Sequence, residues 1–197
     1  MNCKLYYLIM LTCIISASFI FHDLSGQVKN EKEYRVLKKD VPKKAINSLD
    51  NIFEHTQKVK WYYQSDSEKS NYEAKFEWKG NKYSVEFALD GSIDNIELEI
   101  SWEKLQNKLK TKIEHYLGSN YSYYKILKIQ QQFIGSCSDL EDLIKDNEFE
   151  DIAINYELEF YGKIHNDYSL WESFINSNGD FLQTRKVITP PTQNLEF

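Results

Sequence analysis

The feature that most limits the fold of this chain is internal repetition. A helical stretch ending Phe53-Glu54-His55 leads into Trp61-Tyr62-Tyr63, and later Ile113-Glu114-His115 leads into Tyr121-Ser122-Tyr123-Tyr124. Asn71-Tyr72-Glu73-Ala74-Lys75-Phe76 is echoed by Asn155-Tyr156-Glu157-Leu158-Glu159-Phe160. Asp90-Gly91-Ser92-Ile93 is echoed by Asn178-Gly179-Asp180-Phe181. Two copies of one helix-then-strands unit point to a duplicated scaffold. The expected fold is α+β: two tandem units, each a helix packed on a four-stranded antiparallel sheet, sharing one extended sheet surface.

The first unit is expected over 41–101. Val41-Pro42 opens its helix, because a helix start does not need the donor that proline lacks. Ala45, Ile46, Leu49, Ile52 and Phe53 recur at helical spacing and form one apolar stripe. Four strands with period-two alternation follow. They place Trp61, Ala74, Phe76, Val85, Phe87, Ile96 and Leu98 toward the helix and polar residues on the opposite face. Gly80-Asn81 and Asp90-Gly91 supply the turns. The second unit, over 102–189, repeats the order with a helix near 103–117. It carries an acidic insertion at 135–151, where a capping-box pattern beginning at Ser138 predicts a short helix over 139–145. Residues 27–40 read as a polar lead-in and 190–197 as a tail.

Residues 1–26 read as a signal peptide, with Lys4 ahead of an apolar run from Leu5 to Phe21 and a small Ser25-Gly26 pair. Cleavage after Gly26 would leave Gln27 first, put the chain in the periplasm or outside the cell, and leave no membrane-inserted segment. It would also remove Cys3 and Cys13, so that Cys137 alone remains and no internal disulfide forms. The fold must then be held by its core. With 30 Asp and Glu against 24 Lys and Arg, the chain lacks the basic footprint of a nucleic-acid binder.

The segments Val41-Pro42, Trp61, Tyr72-Glu73-Ala74-Lys75-Phe76, Tyr83-Ser84-Val85-Glu86-Phe87, and Asp90-Gly91 followed by Ile96-Glu97-Leu98-Glu99 have a recognisable order. It resembles the PepSY-like, beta-lactamase-inhibitor-like family of exported bacterial proteins. The second unit matches more loosely: it lacks the opening Val-Pro and carries Trp171-Glu172-Ser173-Phe174 in place of the tyrosine strand. The resemblance implies tandem helix-on-sheet units, export and a binding role.

No catalytic motif lies on this scaffold. There is no Gly-x-Ser-x-Gly, zinc motif or glycine-rich phosphate loop, so neither an enzyme nor a cofactor is expected. His55 and His115 fall at equivalent places in the two copies, too far apart to share a metal, and no metal site is expected. Alternation puts Lys60, Tyr62, Glu73, Lys75, Glu77, Glu86, Glu97, Glu99, Glu157, Glu159, Tyr161, Glu172 and Phe174 on the open sheet face. A face this acidic is either a solvated surface or the docking site of a protein with a basic patch. The residues expected to carry such binding are Tyr62, Lys75, Glu77, Glu86, Glu97, Glu159, Tyr161 and Phe174, with aromatics at the interface centre. The other reading is a periplasmic small-molecule or calcium binder. It would use this face or the insertion residues Asp139, Glu141, Asp142, Asp146, Glu148, Glu150 and Asp151, although EF-hand spacing is absent.

Overall fold

A computed structural model describes residues 28–188 apart from 30 and 66–68. The segment read as a signal peptide and the tail 190–197 lie outside the described residues. The described residues begin with strands β1 (Val28–Lys29) and β2 (Lys32–Val36), a 3-10 turn (Lys38–Asp40) and helix α1 (Lys43–Ile52). Four strands follow: β3 (Gln57–Ser65), β4 (Ser70–Trp78), β5 (Asn81–Phe87) and β6 (Ile93–Glu99). A second 3-10 turn (Trp102–Lys104), helix α2 (Asn107–Asn120), β7 (Tyr123–Ile134) and helix α3 (Cys137–Asp146) come next. The hairpin strands β8 (Ala153–Ile164) and β9 (Asp167–Asn176) and then β10 (Phe181–Val187) complete the described chain.

The helices form where the apolar stripe is continuous. Ala45, Leu49 and Ile52 of α1 are buried on one face, and Leu109, Ile113 and Leu117 do the same on α2. Phe53, just past α1, inserts its ring edge-on among Phe76, Trp78 and Tyr83 at centroid distances of 4.9, 5.3 and 5.2 Å. A fully buried side chain of this size contributes about 1.5–3 kcal/mol. In α3 the capping box is made by Ser136 and Asp139, two residues earlier than the sequence pattern suggests. The acidic insertion is therefore amphipathic. Leu140 and Leu143 are buried in the core under α1, while its carboxylates face out. Cys137, read as a loop residue, is the first residue of α3 and is exposed.

Both halves brace a turn against a helix in the same way. Gly91 has φ +83°, and a Cβ there would lie 2.8 Å from the Ala45 backbone nitrogen, so the turn sits directly on α1. Gly179 has φ +85° and sits equally close to Lys112 and Leu109 of α2. An ion pair spans each contact, Lys44–Asp90 at 3.1 Å and Lys112–Asp180 at 2.9 Å.

The expected fold class requires correction. The strands do not form two four-stranded sheets. They form one ten-stranded sheet in the order β1-β10-β9-β8-β7-β6-β5-β4-β3-β2. The physical reason is edge pairing. β6 and β7 would each leave a row of backbone donors and acceptors exposed if the halves were separate. Instead they pair antiparallel through Ile96–Phe133, Glu97–Gln132, Leu98–Gln131 and Glu99–Gln130. The segment read as a lead-in is used the same way: β2 pairs antiparallel with β3, and β1 pairs parallel with β10.

This last pairing sets the shape. β1 and β2 lie at opposite ends of the strand order, yet Lys29 and Lys32 are near neighbours in the chain. A flat ten-stranded sheet would separate its edges by about 43 Å at ~4.8 Å per strand. Three residues of extended chain span at most about 11 Å. The sheet must therefore curl until its edges nearly meet, and the N-terminal segment bridges the gap. The helices pack on the outside of the curl. The polar face, expected to be open, lines the inside.

Candidate binding face

Neighbouring strands aim their polar side chains at one another across this inner face. Lys75 is cross-strand from Ser84, Ser84 from Glu97, and Glu97 from Gln132. Tyr62, Glu73, Glu86 and Asn95 form the adjacent row. Glu97 is only 4 % exposed and accepts hydrogen bonds from Gln130 Nε2 at 2.6 Å and Gln132 Nε2 at 3.2 Å. Burial pushes its carboxyl up to about 8, and the neighbouring Glu86 and Glu73 carboxylates reinforce the shift. Glu73 is raised to about 7 by burial, although Lys75 opposes this from 3.1 Å. Burial also raises Glu86, which accepts from Asn95 Nδ2 at 2.9 Å, and raises Glu157 further.

The N-terminal segment supplies counter-charges to this interior. Lys29 Nζ lies 2.6 Å from Glu172 and 2.7 Å from Glu31, and Arg185 reaches the other Glu172 oxygen at 2.8 Å. Burial favours the neutral form of Glu172, but the two cations outweigh it and hold the carboxyl below its ordinary value. Glu33 of β2 pairs with Lys75 at 2.6 Å. Burial works against the charge on Lys75, yet Glu73 and Glu33 hold it above the ordinary lysine value. The side chains that could meet a basic partner are thus largely matched within the chain.

The eight residues expected to carry binding separate into three groups. Tyr62 and Glu97 are buried, with Lys75 Nζ 5.0 Å from the Tyr62 ring centroid. Lys75, Glu86, Glu159 and Phe174 are half-buried within the inner face. There Lys128 pairs with Glu159 at 2.5 Å and the Arg185 guanidinium lies 5.2 Å from the Phe174 ring. Glu77 and Tyr161 are exposed. The structure brings Tyr62, Lys75, Glu86 and Glu97 onto one continuous patch and leaves Tyr161 at its far end.

Tyr161 has company that the strand pattern did not single out. It stacks on Tyr168 with centroids 5.2 Å apart and planes inclined by 17°, and Tyr123 lies 6.0 Å from Tyr168. Tyr123, Tyr161 and Tyr168 are 52, 37 and 50 % exposed. Tyr123 and Tyr168 both pair with Lys163 across the ladder, which puts them on the face of Tyr161. The signal available in sequence was parity across two hairpin strands, and it becomes readable only once the β8–β9 register is known. Gln130, Gln132, Lys29 and Arg185 were missed for the same reason: their role depends on partners far along the chain.

Among the described residues, no group of three or more His, Cys, Asp or Glu side chains is placed to hold a metal ion, so the calcium reading finds no site there. His55 lies just beyond α1 with φ 61°, whereas His115 lies inside α2, so the two are not structurally equivalent. No helix among the described residues is long and apolar enough to cross a membrane.

No family model and no curated protein sequence matches this chain. Solved structures do. A DUF2874 family protein from Bacteroides ovatus superposes with a TM-score of 0.51 at 16% identity, covering 74% of this chain and 87% of its own. A candidate periplasmic protein from Bacteroides eggerthii gives 0.51 at 12% identity, covering 74% and 88%. A BLIP-like protein from Bacteroides fragilis gives 0.47 at 12% identity, covering 77% and 90%. At these identities the likeness to the first two is one of fold.

Proposed function

We propose that this chain is an exported, non-enzymatic binding protein, an inhibitor or modulator of a secreted or envelope protein, and that it grips its partner through Tyr123, Tyr161 and Tyr168. The observation that carries this reading is the exposed tyrosine cluster, Tyr161 stacked on Tyr168 with Tyr123 beside it, at the end of a face whose acidic groups are otherwise buried, hydrogen-bonded or ion-paired within the chain. Tyrosines provide large, rigid contact area with a hydroxyl for hydrogen bonding, and they are enriched where interfaces concentrate their energy. Export is supported by the composition of residues 1–26 and by the candidate periplasmic assignment of the Bacteroides eggerthii protein of similar fold.

The test is capture from the native envelope and secreted fraction. The baits are the chain from Gln27, the triple variant Tyr123→Ala/Tyr161→Ala/Tyr168→Ala, and Glu97→Gln as an interior control. A protein retained by the first and third baits and lost by the second supports the reading. The same protein retained equally by all three would remove the tyrosine cluster from the interface.

A further inference from the structure

A second surface has the opposite electrostatic character. The β2–β3 ladder ends at Val36–Trp61, after which the chain leaves the sheet at Leu37 for the 3-10 turn. Gln57–Lys60 of β3 are therefore left without a β2 partner along that edge. A cleft of about 410 Å³ opens there, and its walls carry Arg35, Lys38, Lys58 and Lys60. Asp50 is the only acid in the lining, and it pairs with Lys38 at 3.5 Å. Among the described residues no carboxylate lies in ion-pair range of Arg35, Lys58 or Lys60. Four cations flank this edge of a chain whose formal net charge is −6: Arg35 and Lys60 share the face of Tyr62 and Lys75, and Lys38 lies with Asp50 on the α1 side.

Two features of the backbone add to the case. Lys60 stands directly opposite Lys75 in the β3–β4 ladder. Like charges facing each other across a ladder destabilise it, and Lys75 is already matched by Glu33 and Glu73. Lys58 lies at a register shift between Gln57 and Lys60 with φ 57°, a left-handed conformation uncommon for lysine. A bulge at an open edge re-aims side chains and interrupts pairing, and such strain concentrates at functional positions.

We propose that this cleft binds an extended acidic peptide, which lies along Val59–Lys60 as a short added strand and sets carboxylates against Arg35, Lys38, Lys58 and Lys60. Strand addition uses main-chain hydrogen bonds for affinity and side-chain pockets for selection. A small free anion would meet the cations but leave the strand edge unpaired, so the peptide uses more of what the cleft presents. The site is independent of the tyrosine cluster and has the opposite charge preference from a face seeking a basic partner.

The experiment is titration of the purified chain with a fluorescent glutamate-rich hexapeptide, its glutamine counterpart and inorganic phosphate, together with amide hydrogen exchange. The expected result is salt-sensitive binding of the acidic peptide, at least tenfold weaker binding of the glutamine peptide, and new protection at those amides of Gln57–Lys60 that face the open edge. Arg35→Gln/Lys60→Gln should weaken the acidic peptide at least tenfold. Should that variant fail to fold, Lys38→Gln/Lys58→Gln at exposed positions serves in its place, with the same expected loss. Equal binding of the two peptides, or binding untouched in a folded variant, overturns the proposal. Displacement by phosphate without amide protection reduces the cleft to a simple anion site and overturns it as well.

Discussion

Lys29, on the two-residue strand β1, places its ammonium 2.6 Å from the carboxylate of Glu172 on β9, and Glu172 is only 2 % exposed. This contact ties the start of the described chain to the inside of the curled sheet. Arg185 completes the arrangement at 2.8 Å. Glu172→Ala would leave two cations facing a buried void, and breaking a buried pair in this way costs about 3–5 kcal/mol. The melting temperature should fall by at least about 6 °C for a chain of this size. Lys29→Ala should cost less, because Arg185 still serves Glu172. Equal, small shifts for both variants would show that the interior is wetter than the geometry implies.

Glu97 makes stability depend on pH in the direction opposite to an ordinary ion-paired carboxylate. In the unfolded chain it loses its proton near about 4.3. In the folded chain burial holds the proton to about 8, and Glu73 to about 7. Between those values the unfolded state binds fewer protons, so stability falls as pH rises from mildly acidic to mildly alkaline. Glu172, held below its ordinary value, contributes stability that is lost only as pH falls into the acid range. Glu97→Gln should match the native chain near pH 4.5 and exceed it near pH 8.5 by about 1 kcal/mol or more, about 2–4 °C in melting temperature. Parallel melting profiles across that range would sink the assignment.

The two turn glycines should respond unequally to alanine. Both have positive φ, which costs a residue with a Cβ of order 1 kcal/mol or more. At Gly91 the new methyl meets the Ala45 backbone nitrogen at 2.8 Å, and that atom is held in α1. At Gly179 it meets Lys112 Cδ at 2.7 Å, on a side chain that can swing away. Gly91→Ala is expected to cost about 2–3 kcal/mol, and Gly179→Ala roughly half as much under the same principles. Chemical denaturation with an unchanged m-value would measure the difference, and the reverse ranking would contradict the packing described.

Leu140 tests whether the acidic insertion is structural. It is fully buried against the core beneath α1, so Leu140→Ala should cost about 2–5 kcal/mol. Glu141→Ala, on the outer face in an i,i+4 pair with Lys145, should cost no more than about 0.5 kcal/mol. An unaffected melting temperature in Leu140→Ala would mean that α3 does not stay docked.

Much of the site was legible in part. The alternation through Tyr72–Trp78 and Tyr83–Phe87 placed Ala74, Phe76, Val85 and Phe87 on the helix side, where they are buried. It also placed Tyr62, Glu73, Lys75, Glu86 and Glu97 together on the other side, and the ladder register joins them there. Period two reports which side of a strand a residue occupies. It does not report whether that side faces water. Glu97 read as a surface carboxylate because nothing near it in the chain encloses it. Its amide partners, Gln130 and Gln132, arrive from β7.

The sequence by itself determined the local elements: the helix stripes of α1 and α2, the alternating strands, and the glycine turns. Each of these follows from side-chain spacing and backbone preference within a few residues. The tertiary structure alone decided that the halves join through β6 and β7. It also decided that Val28–Lys29 and Lys32–Val36 occupy opposite edges, so that the polar face closes into an interior. Those outcomes depend on satisfying free strand edges and on bringing Lys29 to Glu172. Both are matters of long-range pairing, for which no local periodicity carries a signal.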